Sequence, residues 1–422
     1  MEPVTIAVVG AGQRGQQYAE LAAASGRARV VAVADASPAR RAAMAETYGL
    51  GPDAVFPDWV ALAARPRLAD AAIVATQDRD HVGPAVALAE AGYHLLLEKP
   101  IAPTEEEART IILAAERCGV QLAVCHVLRY TPLTRRIRAL LDSGRLGELV
   151  SIQHLEPVGW WHFAHSYVRG NWRRADLATP MLLAKACHDV DWLQYLVGRP
   201  AVRVSSSGGL FHFRADQAPP QASTRCVTCP VEDACVYSAA RLYRSCLGDP
   251  ERERWPLSTV TDDLTTEGVE AALRDGPYGR CVYACDNDAV DHQIVTIEYE
   301  GGVTASLTVS AFTPKADRKT RIMGTRGYLE TDGESIHLYD FRTAGYDLDT
   351  GNAKVIHVGV GADASAARGH AGGDAGLIDA FVASIAGADP SLIKTGPAES
   401  LASHRLVWAA ERARLEGVVV AL

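Results

Sequence analysis

The chain has no apolar run long enough to cross a bilayer, no long run of basic residues and no internal repeat. The first absence excludes a membrane-spanning helix, which needs about 20 consecutive apolar residues. The second, with a formal net charge of −9, excludes nucleic acid or an anionic membrane as the main partner. A signal peptide has no room, because strand-like residues begin by Ile6, so a cytoplasmic protein is expected. In a reducing compartment the nine cysteines are expected as thiols or metal ligands rather than disulfides. What is present is the make-up of a soluble globular protein, 48% hydrophobic and 22% charged. Its 422 residues are too many for one ordinary core, so two domains are expected.

The first 35 residues carry the strongest signal. An apolar strand over 6–9 runs into Gly10-Ala11-Gly12-Gln13-Arg14-Gly15, followed by a helix, a second strand over 30–34, and Asp35. Gly10 permits the tight turn, Gly12 lets the backbone approach a pyrophosphate, and Gly15 lets the helix pack against the strand. The helix N-terminus, with Gln13 and Arg14, receives the phosphates. Asp35 is placed to accept hydrogen bonds from the adenosine ribose and to repel a 2′-phosphate, which favours NAD over NADP. Arg40 and Arg41 lie just beyond and are able to meet a 2′-phosphate.

Strand and helix signals then alternate: strand 71–76, helix 84–91, strand 94–97, helix 105–118, strand 122–125. This is the pattern of a parallel sheet covered by helices on both faces, an α/β Rossmann domain over residues 1–125, with ligands at the carboxyl ends of its strands. Thr76, Gln77 and His81 follow the third strand and are expected to border the nicotinamide ribose. Glu98-Lys99-Pro100 follows the fourth. Lys99 there can hold a substrate hydroxyl and help remove its proton, and a cis bond to Pro100 would aim it inward.

Residues 126–422 read as an α+β domain with a large, open, mostly antiparallel sheet, one face of which is able to serve as a subunit interface. The signals are helices over 134–143 and 181–197 and strands over 149–155, 294–299, 303–310, 320–323 and 328–331. Residues 359–376, rich in Gly and Ala, are expected to be a mobile segment before helices over 377–385 and 397–416. His126, Arg129 and Tyr130 fall where substrate should enter between the domains. Tyr167, Arg169, Asn171, Trp172 and Arg173 supply aromatic faces and guanidinium groups suited to hydroxylated rings.

A polar, cysteine-bearing excursion over about 213–285 stands apart. Cys226-Val227-Thr228-Cys229 and Cys235 give three soft ligands, and Cys281, ahead of Cys246 and Cys285, is the preferred fourth for a structural zinc. Such an ion would pin a long loop with little core of its own.

Taken together, Gly10 to Gly15, Asp35, Glu98-Lys99-Pro100 and His188-Asp189-Val190-Asp191 resemble the glucose-fructose oxidoreductase and inositol dehydrogenase (Gfo/Idh/MocA) family. The resemblance covers nearly the whole chain apart from the cysteine-rich excursion. It implies reversible NAD-dependent oxidation of a secondary hydroxyl on a sugar, sugar derivative or cyclitol by a homodimer or homotetramer. It also implies catalytic roles for Lys99 and His188, with Asp189 beside the substrate. One position departs from the family: the acid expected four residues before the histidine is Ala184. In a continuous helix Lys185 would then be the polar neighbour of His188, completing a Lys99, His188, Lys185 set. Two rival functions remain open at this level, an NAD-recycling glycosidase working by oxidation, elimination and re-reduction, and a non-catalytic NAD-binding regulator.

Overall fold

A computed structural model describes residues 2–342, 353–358 and 370–422. Six strands, β1 (Val4–Val9), β2 (Ala28–Ala34), β3 (Val55–Phe56), β4 (Ala71–Val74), β5 (His94–Leu97) and β6 (Leu122–Val124), form an all-parallel sheet in the order β3-β2-β1-β4-β5-β6. The strands read as near-continuous apolar runs because helices cover both faces. The strand order reverses between β1 and β4, and the crevice above that pair is where such sheets take ligands. Helix Glu105–Cys118 starts where the sequence places it because Thr104 and Glu107 cap each other's backbone. Helix Gly373–Ala386, from far along the chain, closes this domain: Leu377, Ile378, Phe381 and Val382 share a core with Ile6, Val8, Tyr18 and Val30.

Nine further strands follow: β7 (Leu149–Pro157), β8 (Ala201–Gly209), β9 (His292–Tyr299), β10 (Thr304–Ser310), β11 (Lys319–Gly324), β12 (Gly327–Thr331), β13 (Ser335–Asp340), β14 (Lys354–His357) and β15 (Val420–Ala421). They pair as β14-β13-β12-β11-β7-β10-β9-β8-β15. Every pairing is antiparallel except β7 with β10. The sheet is therefore mixed. Strand β8 escapes sequence reading because Ser205, Ser206, Ser207, Gly208 and Gly209 have little strand preference.

Three expectations change. The helix expected over 181–197 is two helices, Met181–Ala184 and Cys187–Val197, interrupted at Lys185 (φ −106°, ψ −56°) and Ala186 (φ −100°, ψ 9°). The excursion over 213–285 is no bare loop. It carries helices Ala239–Arg244, Pro250–Arg254 and Thr266–Asp275 around a small core including Tyr243, Leu257, Val269 and Leu273. Helices this short complete too few turns to show a period. Of the segment expected to be mobile, residues 359–369 lie outside the described residues, whereas helix Gly373–Ala386 begins within its remainder. Among the described residues no helix is long and apolar enough to cross a membrane.

Candidate functional site

The glycine loop closes on itself tightly. Gly10 sits at φ +88°, and a Cβ there would meet the Ala75 carbonyl oxygen at 2.5 Å. At Gly15 a Cβ would lie 1.9 Å from the Gly10 carbonyl oxygen, so the helix reaches the turn only because that residue has no side chain. Around Gly12 the nearest atom to such a Cβ is Arg40 Nη1 at 3.9 Å, which leaves the approach open. Asp35 ends the second strand; its Oδ2 accepts from Ala11 N at 2.7 Å and its Oδ1 from Ser37 N at 2.8 Å. Each carboxylate oxygen keeps a further lone pair for ribose hydroxyls. The loop, the open approach at Gly12 and the carboxylate are what a dinucleotide requires, so the residues present fit NAD. Arg41 is turned to the Asp35 carbonyl at 2.5 Å.

Below the loop lies a buried charge cluster. Arg14 donates to Glu98 at 2.7 Å and to Asp374 at 2.5 Å, and also contacts Tyr18. The Tyr18 hydroxyl donates to Glu98 at 2.9 Å. Burial alone would push the Glu98 carboxyl up, but the Arg14 and Lys99 charges and the two hydrogen bonds outweigh it and hold it below the usual range. Arg14, expected to touch the cofactor, is thus largely spent on anchoring Glu98. The other oxygen of Glu98 takes the Lys99 backbone N–H at 2.7 Å, which fixes the turn carrying Lys99. The Lys99–Pro100 peptide is cis. From there Lys99 Nζ donates to the Ala184 carbonyl at 2.6 Å, at the end of helix Met181–Ala184. Interruption of the helix leaves this carbonyl available to the ammonium.

His188 follows the interruption, in the first turn of helix Cys187–Val197. It is buried and meets His126 edge to face, ring centroids 5.8 Å apart. His126 packs in turn on His404 at 5.3 Å. Among the described residues neither ring nitrogen of the fully buried His126 has a hydrogen-bond partner, and burial holds its pKa below the ordinary histidine value. Lys185 does not lie one regular turn before His188. Its Nζ stands 3.1 Å from Glu156 on β7, in a network where Arg318 binds Glu156 at 3.0 Å and also Asp189.

Several residues expected at the substrate or the nicotinamide ribose are engaged by partners within the protein. Asp189 is buried and held by His154 Nε2 at 2.9 Å and by Arg318; the Arg318 charge and the His154 bond keep it ionised against burial. Arg129 forms a buried bidentate pair with Asp191 at 2.7 and 2.8 Å and donates to the Lys394 carbonyl. Tyr130 shares a hydrogen bond with Thr395, receives one from Lys394 N, and burial pushes its phenol up to about 12. His81 places Nδ1 2.8 Å from the Pro100 carbonyl and Nε2 3.3 Å from that of Thr76, so it braces two loops from inside. Such buried, partnered groups cannot be told from ligand-facing ones by residue type. Thr76 remains on the rim, its hydroxyl donating to the Asp80 carbonyl.

The segment after residue 163 bridges to the cofactor side. Asn171 donates to Gln77 at 2.7 Å, and Trp172 Nε1 donates to Asp78 at 3.1 Å. Tyr167 is buried against Phe163 and Trp172. Arg169, expected to grip substrate, points elsewhere. It is fully buried, donates to the Arg280 and Tyr237 carbonyls at 2.7 Å and reaches Cys226 Sγ at 3.7 Å. Cys226, Cys229, Cys235 and Cys281 line one cavity of about 20 Å³ beside it. All nine cysteines are free thiols. The expected zinc site is not formed as it stands: among the described residues no three of His, Cys, Asp and Glu are grouped as metal ligands.

Sequence reasoning passed over Glu156, Arg318, Asp191, His404 and Asp374. Asp191 lay inside the quoted His188 motif, but the other four stand in segments with no local signature, and Asp374 meets Arg14 across 360 positions.

Residues 4–126 match the model of the oxidoreductase family GFO_IDH_MocA, NAD-binding Rossmann fold, and residues 134–330 match the GFO/IDH/MocA C-terminal domain. The chain is 29% identical over 207 residues to D-glucoside 3-dehydrogenase of Escherichia coli (strain K12), covering 48% of this chain and 56% of that protein. It is 28% identical over 214 residues to inositol 2-dehydrogenase of Rhizobium meliloti (strain 1021), covering 50% and 60%. The chain thus spans less than two thirds of the length of these curated relatives. In fold it is similar over its whole length to an inositol dehydrogenase homolog from Azotobacter vinelandii solved with NAD+, with a TM-score of 0.70, 20% identity and 98% of that chain covered.

Proposed function

Because the chain belongs to the Gfo/Idh/MocA family, we propose that it is an NAD-dependent oxidoreductase acting on a secondary hydroxyl of a sugar, sugar derivative or cyclitol. The observation that carries the proposal is the reach of Lys99 from the end of β5 to the Ala184 carbonyl. It brings an ammonium from the dinucleotide sheet to the segment that presents His188. NAD, held by the glycine loop and Asp35, supplies a hydride acceptor at the nicotinamide. Lys99 donates from Nζ to the oxygen of the substrate hydroxyl and orients it. His188 takes the hydroxyl proton as general base. Lys185, steadied by Glu156, adds positive charge to the same wall and favours the alkoxide that develops as the proton leaves. Thr76 and Gln77 border the ribose.

The test is a screen of sugars, cyclitols and glycosides for NADH formation by absorbance at the nicotinamide band. NADH formed with at least one polyol supports the reading. Aglycone release without NADH accumulation would assign the recycling glycosidase instead. Neither reaction with any compound, beside intact NAD binding, would leave a binding protein.

We further propose that Cys226, Cys229, Cys235 and Cys281, which line one small cavity, take up a structural zinc ion. Four soft ligands around a space that admits one small occupant support this. So does Arg169, a buried cation with no carboxylate partner among the described residues, which would be neutralised by a tetrathiolate of net negative charge. Ala239 N also donates to Cys226 Sγ at 3.4 Å, as the outer shell of a thiolate ligand should. Elemental analysis should find about one zinc per chain, lost in the Cys226→Ser, Cys229→Ser double variant. Absence of metal in protein purified without chelator would overturn it.

A further inference from the structure

The ring of His126 has no exposed surface, and among the described residues neither of its nitrogens has a hydrogen-bond partner. A buried polar group in that condition is costly and is explained by a role in function or by a partner gained in another state of the site. His126 lies two residues beyond β6, at the carboxyl edge of the dinucleotide sheet. It packs edge to face on His188, with centroids 5.8 Å apart and planes at 84°, and on His404 at 5.3 Å and 62°. The charges of Asp191, Arg129, Lys99 and Glu98 also act on it. Those groups are engaged elsewhere. Arg129 and Asp191 bind each other, Lys99 binds the Ala184 carbonyl, and Glu98 takes Arg14, Tyr18 and the Lys99 N–H. Both His404 nitrogens are taken as well, by Ile101 N and the Ser400 carbonyl. His188 is the neighbour whose charge the reaction changes.

We propose that His126 is a positioning residue for His188, accepting a hydrogen bond from the His188 ring N–H turned away from the substrate. Beyond the radii of the two rings, the 5.8 Å between their centroids exceeds one hydrogen-bond length by less than about 1 Å. Catalytic hydrogen bonds are often long before the reacting complex forms and tighten within it. Burial, with the charges of Arg129 and Lys99, outweighs the attraction of Asp191 and lowers the His126 pKa. The ring is therefore uncharged near neutrality, and one nitrogen keeps its lone pair. As His188 takes the substrate proton it becomes a cation, and a hydrogen bond donated by a cation is about twice as strong as one from a neutral ring. The gain falls on the transition state rather than on bound substrate. The proton stays on His188. His126 lends a lone pair and fixes which His188 nitrogen meets the hydroxyl.

This role rests on the proposed oxidoreductase reading, so the parent chain is measured beside every variant. The rate of the first turnover of NADH formation is followed against polyol concentration for the full chain saturated with NAD. His126→Phe keeps a ring for His188 and His404 to pack on and removes the acceptor. Its maximal rate should fall about 10- to 100-fold, the worth of a hydrogen bond to a charged group. The half-saturating polyol concentration and the NAD dissociation constant should not change, the signature of an interaction made only in the transition state. His126→Gln returns an acceptor and should recover most of the rate, which a purely structural role would not require. Should thermal unfolding show that Phe disturbs the fold, His126→Met is a second variant without an acceptor. A parental rate in a folded Phe or Met variant, or a Gln variant no faster than Phe, would overturn the role. A raised half-saturating concentration at the parental maximal rate would place His126 against substrate instead. A parent chain that forms no NADH with any polyol would remove the oxidoreductase reading and this role with it, an outcome distinct from an active parent with equally active variants.

Discussion

Lys99 and Ala184 are 85 positions apart, yet the ammonium of one meets the carbonyl of the other at 2.6 Å. Ala184 has no side-chain oxygen to offer, so at this position the backbone supplies the oxygen that Lys99 meets. The helix interruption at Lys185 and Ala186 is what leaves that oxygen to Lys99. Removing the interruption should therefore disturb Lys99 before it disturbs folding.

Asp35 accepts from two backbone N–H groups and is the carboxylate proposed to hold the ribose. Asp35→Ala should weaken NADH binding by about 10- to 100-fold, the loss of charged hydrogen bonds worth about 1.5–3 kcal/mol, and should narrow the preference over NADPH. Parallel fluorescence titrations with both nucleotides check this; unchanged affinities for both would refute the cofactor assignment.

The Arg129–Asp191 pair is buried and bidentate. Arg129→Met alone should cost about 3–5 kcal/mol of stability, because a carboxylate is left buried without its partner, whereas Arg129→Met with Asp191→Leu should recover much of the loss. Urea unfolding of the single and double variants measures it. A single variant as stable as the parent would return Arg129 to the substrate site.

His404 is buried, receives the Ile101 N–H on Nε2 at 3.0 Å and faces the Ser400 carbonyl with Nδ1 at 2.8 Å. This arrangement requires the neutral ring. Burial, with the neighbouring His126, lowers its pKa to about 3. The unfolded chain takes up a proton near its ordinary value of about 6.5 while the folded chain does not, so stability is full above that pH. It falls by up to about 1.4 kcal/mol per pH unit between roughly 6.5 and 3. Unfolding midpoints of the parent and His404→Gln across this interval should converge toward acid. Parallel curves would show that His404 is not neutral in the fold.

Much of this arrangement is legible in the sequence, and what is not has identifiable causes. Strand β5 and helices Glu105–Cys118 and Pro397–Glu416 have the bounds their patterns announce, because apolar period and capping are local. The glycine loop is legible because steric need is local too. The break at Lys185 is not: Met181–Val197 carries a helical pattern throughout, and only the tertiary contact with Lys99 shows what the interruption serves. The partners of Arg129, Arg169 and Asp189 are not legible for a related reason. Each is a residue type suited to a ligand, and each is satisfied by a partner far along the chain, Asp191, the Arg280 and Tyr237 carbonyls, and Arg318 with His154.

The central claim is that Lys99 acts with His188 on a hydroxyl presented to NAD. It is tested most directly by pre-steady-state NADH formation with the best polyol from the screen, comparing the parent with Lys99→Met. The account predicts a fall in the rate of the first turnover of about 10²- to 10⁴-fold, the range for loss of a positioned acid–base group, with the NAD dissociation constant unchanged. A Lys99→Met chain that forms NADH at the parental rate would contradict it.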